Sequence, residues 1–258
     1  MNLVSLSSPK GGVGKTTLTA NLAHALKRLG HRVVVIDFDV QNALRLHFGL
    51  GFGEGRGFVA QAVEIDDWRR LLVPSASGIE LLPYGEVSDA QRLAFESWLS
   101  AHPEAVAQRL GPLLNEPRCV VLADLPPGPS PSLTAMGAAD AIQVAVLLAD
   151  SASLSVLPRI EGGDFMGPGV RPYYIINQVD RRRRLSSDVA DFLQDRLGSP
   201  LLGNVHRDEA IPDALACEQS IFDYAPASAA AHDIDTLARS VSRLLPSLQS
   251  HGVVAPAL

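Results

Sequence analysis

The sequence predicts an α/β fold: a single domain in three layers, α/β/α, around a mostly parallel central sheet. Short apolar runs alternate with longer segments of helical period, the pattern of parallel strands covered by helices on both faces. The chain's 258 residues suit one such sheet. Its 47% hydrophobic and 19% charged residues supply a sizeable core and too little charge for a disordered chain.

In chain order, the first apolar run makes a strand of residues 3–7, and the periodic segment after it a helix of 16–29 stopped by Gly30. A strand at 32–37 is followed by a loop at 49–57 with five glycines in nine residues. A strand at 78–83 leads to helices at 89–99 and 103–115, and further strands fall at 119–125 and 141–148. Residues 161–172 mix Gly, Pro and charge and read as a loop. A strand at 173–177, a helix at 187–197, a strand at 201–205 and a helix at 233–245 complete the domain, 1–245, leaving 246–258 as a loose tail.

The formal charge of −6 and pI near 5.6 oppose a whole-molecule attraction to DNA or to an anionic lipid surface. Cys119 and Cys217 are the two cysteines; far apart and outside any Cys-x-x-Cys pair, they indicate neither a disulfide framework nor a thiolate metal site. The N-terminus lacks the pattern of a signal peptide, and no segment approaches ~20 continuous apolar residues. A cytoplasmic protein is expected.

The run Lys10-Gly-Gly-Val-Gly-Lys-Thr-Thr17 lies between a strand and a helix, where a phosphate-binding loop belongs. Gly11, Gly12, Val13 and Gly14 would turn backbone N–H groups onto phosphates with little side chain in the way, and the helix dipole adds to the attraction. Lys15 would contact the β- and γ-phosphates, Thr16 would give its hydroxyl to Mg²⁺ and Thr17 would sit near the α-phosphate. ATP with Mg²⁺ is the expected cofactor pair.

Lys10, immediately before the Gly-Gly pair, makes the loop resemble the deviant Walker A motif of the ParA/MinD family of P-loop ATPases. The resemblance implies a homodimer in the ATP state, with Lys10 reaching across to the nucleotide of the other subunit and hydrolysis that is slow. Asp37-Phe-Asp39-Val-Gln-Asn resembles the family's switch I, with Val40 where proline is usual. That match gives Asp39 the attacking water and Asp37 the Mg²⁺ shell, and makes Lys10, Lys15 and Asp39 the catalytic set. Asp124-Leu-Pro-Pro-Gly is similar to the family's Walker B and switch II element, so Asp124 would hold Mg²⁺ through water. Asn177 matches the position that hydrogen-bonds the purine, and His206 and Arg207 lie where the family's loop packs on base and ribose. Adenine is implied by the resemblance, while Asn177-Gln-Val-Asp180 by itself leaves guanine open.

The resemblance runs from residue 2 to about residue 244. Stretches outside nucleotide chemistry, Gln41-Asn-Ala-Leu-Arg-Leu-His-Phe-Gly49, Leu82-Pro-Tyr-Gly85 and Val205-His-Arg-Asp-Glu-Ala210, look like the family's branch that serves bacterial cellulose biosynthesis. This implies a factor that assembles or localises the cellulose secretion system, with proteins of that system as partners and peripheral recruitment to the inner membrane.

Two other readings compete. A DNA-partition ATPase would bind nonspecific DNA, supported by the run Arg181, Arg182, Arg183 and Arg184. A positioning ATPase of the division-site type would dock on lipid through residues 239–248, although Pro246 interrupts that stretch. An iron–sulfur carrier is rejected for want of paired cysteines, and the histidines, with no metal-ligand spacing, read as structural or surface groups.

Overall fold

The computed structural model describes residues 2–245 apart from Phe52 and Pro168. The expected tail at 246–258 lies outside the described residues. Eight strands form one sheet: β1 (Leu3–Ser7), β2 (Arg32–Asp37), β3 (Val73–Pro74), β4 (Glu80–Leu82), β5 (Cys119–Asp124), β6 (Ile142–Leu148), β7 (Tyr173–Val179) and β8 (Leu201–His206). Their spatial order is β3-β4-β2-β5-β1-β6-β7-β8, with every pair parallel except β3 on β4. The helices are α1 (Lys15–Arg28), α2 (Asp89–Ala101), α3 (Ala105–Leu114), α4 (Pro131–Ala138), α5 (Ser151–Glu161), α6 (Arg184–Leu197), the short α7 (Ala210–Ala216) and α8 (Ile221–Tyr224), and α9 (Ala229–Leu244). None among the described residues is long and apolar enough to cross a membrane.

The strands' period of two divides the core. Val34 and Ile36 of β2, with Val121 and Ala123 of β5, face a layer that includes Phe95 of α2, Leu110 of α3 and Leu193 of α6. Val33 and Val35, with Val120 and Leu122, face the opposite layer, including Leu22 of α1 and Leu237 of α9. Burial on both faces explains why these strands read as continuous apolar runs.

Most predicted elements lie within a few residues of their expected bounds. The structure adds β3, a two-residue edge strand, and shortens the strand expected at 78–83 to Glu80–Leu82. It also adds α4 and α5. Ser130 caps α4 by accepting from the Leu133 N–H, with Pro131 in the first turn, but its body is almost all small or apolar and shows no polar stripe. Asp150 caps α5, where Pro158 interrupts the sequence pattern.

The excursion between β2 and β3 is pinned to the end of β4 by backbone contact. Phe58 N–H donates to the Pro83 carbonyl and Glu86 N–H to that of Gly55, so Gly57 and Gly85 meet; a Cβ on Gly57 would lie 2.1 Å from Gly85 Cα. Around this crossing Phe58 packs against Phe38, Trp68 and Phe95.

Candidate functional site

Because β1, β2, β5, β6, β7 and β8 run the same way, everything at their carboxyl ends gathers along one edge. β1 lies between β5 and β6, and the loop that leaves it opens at the reversal of strand order, where open α/β sheets form a crevice. Gly12 and Gly14 take φ values of +75° and +79°. These left-handed turns carry the backbone into α1, whose N-terminus has no side-chain cap and no acidic residue in its first turn. Its N–H groups and dipole are therefore free for an anion. Strict Gly-x-x-x-x-Gly-Lys-Thr spacing would place a glycine at position 9, which is Pro9, so the match begins at Lys10-Gly11-Gly12.

Asp124, wholly buried at the end of β5, gathers the side chains of the first α1 turns. It accepts from Thr16 Oγ1 at 2.6 Å and Thr19 Oγ1 at 3.4 Å, and lies 3.5 Å from the buried Lys15 Nζ. Asp37 stands beside it in register across the β2–β5 pair. Burial, with Asp124 alongside, holds the Asp37 carboxyl well above the usual carboxylate range. Burial also raises Asp124, against the pull of Lys15 and Thr16. Asp37 accepts the N–H of Asp39 at 2.9 Å and of Leu44 at 3.1 Å, so it also shapes the loop that carries Asp39. Asp39 is partly exposed and accepts the Gln41 N–H at 3.0 Å; Val40 projects outward, 49% exposed.

The donor set fits Mg²⁺ bound with a triphosphate. The Thr16 hydroxyl and the Asp124 and Asp37 carboxylates are hard oxygens, and two adjacent buried carboxylates are relieved by a divalent cation. Among the described residues no group of three or more His, Cys, Asp or Glu could hold a metal ion.

Lys10 turns toward its own chain: its Nζ donates to both Asp150 oxygens, at 2.9 and 2.6 Å. Burial opposes ionisation of the Asp150 carboxyl, but Lys10 and the hydrogen bonds of Ser153 together hold it below its usual range. Sequence reasoning missed Asp150, although it follows an apolar strand as Asp124 and Asp37 end theirs.

A cavity of about 320 Å³ adjoins the phosphate loop, bordered by Gly14, Thr17, Asn177, Val205, Arg207 and Pro212 among others. Asn177 is buried and its Nδ2 donates to the Val13 carbonyl at 2.8 Å. His206 also lines the cavity; its Nδ1 is 2.8 Å from Asp233 Oδ2, and Arg207 Nε donates to Glu209 at 3.1 Å. Gln178, unassigned from sequence, borders the same space. Asp180 is turned to Arg182, whose Nε donates to it at 2.9 Å, and does not border the cavity.

Of the four arginines beyond β7, Arg181 pairs with Asp191, Arg182 with Asp180 and Arg184 with Asp188. These local pairs reduce the positive field that a nucleic-acid backbone would meet. In the stretch considered for lipid docking, Val241 and Leu245 are buried in the core beside α1, and residues 246–248 lie outside the described residues. Cys119 is buried and Cys217 exposed.

The profile of the family described as "Cellulose biosynthesis protein BcsQ" matches residues 1–241. The chain is 30% identical over 241 residues to cellulose biosynthesis protein BcsQ of Salmonella typhimurium, covering 92% of this chain and 93% of that protein. It is also 30% identical over 247 residues to the chromosome-partitioning ATPase Soj of Thermus thermophilus, covering 92% and 94%. Among solved structures, the septum site-determining protein MinD of Pyrococcus horikoshii, complexed with Mg-ADP, superimposes with a TM-score of 0.71 at 22% identity, covering 95% of this chain and 97% of that one. At that identity the likeness concerns the fold.

Proposed function

The chain belongs to the cellulose biosynthesis protein BcsQ family, and on that premise we propose that it is an ATP-dependent dimerising switch that assembles or localises the bacterial cellulose synthase secretion system at the inner membrane. The observation that carries the reading is the convergence of Lys15, Thr16 and Asp124 beneath an uncapped helix N-terminus. A buried ammonium, a hydroxyl and a carboxylate at the end of a phosphate loop suit a nucleoside triphosphate with Mg²⁺. Lys15 and the α1 N–H groups hold phosphate, Thr16 and Asp124 hold the cation with Asp37 beside them, and Asp39 orients the attacking water. The cation supplies charge neutralisation to the phosphates when bound.

Adenine is favoured by the placement of two side chains. Asn177 has its amide nitrogen directed at Val13, which leaves its oxygen to accept from an exocyclic amine. Asp180, the carboxylate that a guanine reader needs, is paired with Arg182 away from the cavity. His206 and Arg207 border the base and ribose.

ATP bound between two chains places more phosphate charge than Lys15 alone balances, and Lys10 is the further cation, acting on the partner's nucleotide. The chain works in the cytoplasm, recruited peripherally through secretion-system proteins that recognise its dimer. Hydrolysis is slow and resets the switch.

Light scattering with ATP and Mg²⁺ tests the dimer. Lys10→Ala should bind nucleotide and remain monomeric, and Asp39→Ala should persist as an ATP-loaded dimer. Unchanged dimerisation of Lys10→Ala, or full turnover by Asp39→Ala, would refute the respective role.

A further inference from the structure

Two consecutive residues of a regular strand point to opposite faces of its sheet. Asn177 and Gln178 do not: both border the cavity beside the phosphate loop, and their amide nitrogens converge on one glycine. A Cβ on Gly14 would lie 2.7 Å from Asn177 Nδ2 and 3.2 Å from Gln178 Nε2. The break in alternation has a visible cause. Gln178 takes φ +55°, in the left-handed region that favours glycine, and the β7–β8 register shifts between Ile176 and Val179. A bulge that re-aims a side chain at strain to its own backbone belongs next to a site that uses that side chain.

The two amides are not equivalent. Asn177 is buried and tied to Val13, whereas Gln178 is exposed at the mouth of the cavity. A neutral carboxamide offers a donor and an acceptor together, which matches the edge of a purine ring; a phosphate would call for a cation. Val205, Ile211 and Pro212 give the cavity the apolar surface that a flat ring needs.

We propose that Gln178 is a second base-reading residue, hydrogen-bonding the purine ring of the nucleotide beside Asn177. The assignment rests on the reading of this cavity as the base pocket.

Calorimetric titrations of the full chain with ATP and with inorganic tripolyphosphate test it. The decisive variant is Gln178→Gly, because glycine adopts φ +55° without strain while removing the amide. ATP affinity should fall about fivefold, the scale of one neutral hydrogen bond, with tripolyphosphate affinity unchanged. Wild-type ATP affinity in Gln178→Gly would overturn the proposal, as would a parallel loss of tripolyphosphate binding, which marks a disturbed phosphate loop. Asn177→Ala separates the two levels. If it lowers ATP binding while Gln178→Gly does not, only the role of Gln178 fails. If neither changes ATP relative to tripolyphosphate, the base-pocket reading fails as well.

Discussion

The Lys10 ammonium sits astride the Asp150 carboxylate, 2.9 Å from one oxygen and 2.6 Å from the other, within a single chain. A lysine held in this way cannot also reach a second subunit, so dimerisation through Lys10 must first break the pair. Both side chains are partly exposed, and such a pair contributes up to about 1 kcal/mol. Asp150→Asn removes the charge while keeping an N-cap for α5 at the Ser153 N–H. Two such pairs break per dimer, so the ATP-loaded dimer should form at a severalfold and up to roughly thirtyfold lower protein concentration, measured by sedimentation velocity. A dimer no tighter than wild type would show that the pair does not restrain Lys10.

Asp124 is the one carboxylate in contact with the buried Lys15 among the described residues. Asp124→Ala should leave that ammonium uncompensated, at a cost of about 3 kcal/mol in nucleotide-free protein, partly offset because Asp37 loses its repelling neighbour. Urea titration measures the loss. ATP in EDTA should recover part of it, since phosphate replaces the missing anion, and added Mg²⁺ should give the variant less further stabilisation than wild type. Equal stability of variant and wild type without nucleotide would contradict the pairing.

Gly14 combines φ +79° with the approach of Asn177 Nδ2. Gly14→Ala should fold, at a cost of about 1–2 kcal/mol from the left-handed backbone alone. The added methyl should displace Asn177 from Val13 and the N–H groups of the loop from their anion, lowering ATP affinity more than tenfold by calorimetry. Wild-type affinity would mean that the loop tolerates a side chain there.

The same physics explains what the sequence made legible. β1 and β2 were readable to the residue because they are apolar runs bounded by polar or turn residues, and Asp37 and Asp124 because each ends such a run. Asp150 ends a run too, but belongs to no familiar motif. α4 was hidden because nearly every residue of Pro131–Ala138 is small or apolar, leaving no stripe to give the helical period. β3 is too short for any pattern and contains Pro74. Gln178 was invisible because its placement depends on the sign of one backbone angle, which residue type does not disclose at a glutamine.

His24 of α1 stacks on Phe48, with ring centroids 5.3 Å apart, on the turn that follows the Asp37–Asp39 segment. Burial lowers its pKa to about 4, with Asp223 opposing and Lys27 adding to the shift. Burial lowers His47 likewise to about 4, with His24 adding to it. In the unfolded chain both return to about 6.5. Between these values the unfolded state binds more protons, so stability rises with pH; it is fully present above pH 6.5 and lost as pH falls toward 4. Each histidine accounts for up to about 3 kcal/mol across that window, and their mutual repulsion makes the two non-additive. Urea titrations at pH 7.5 and 5.2 on wild type and on His24→Leu with His47→Leu isolate the effect, because the raised Asp37 and Asp124 and the lowered His31 titrate in both. Wild type should lose about 2–4 kcal/mol more than the double variant between the two values. The turn abuts the segment carrying Asp39, so ATP turnover should fall over the same range and fall less in the double variant. If wild type and variant show the same stability slope, these histidines do not couple the packing of that segment to protonation.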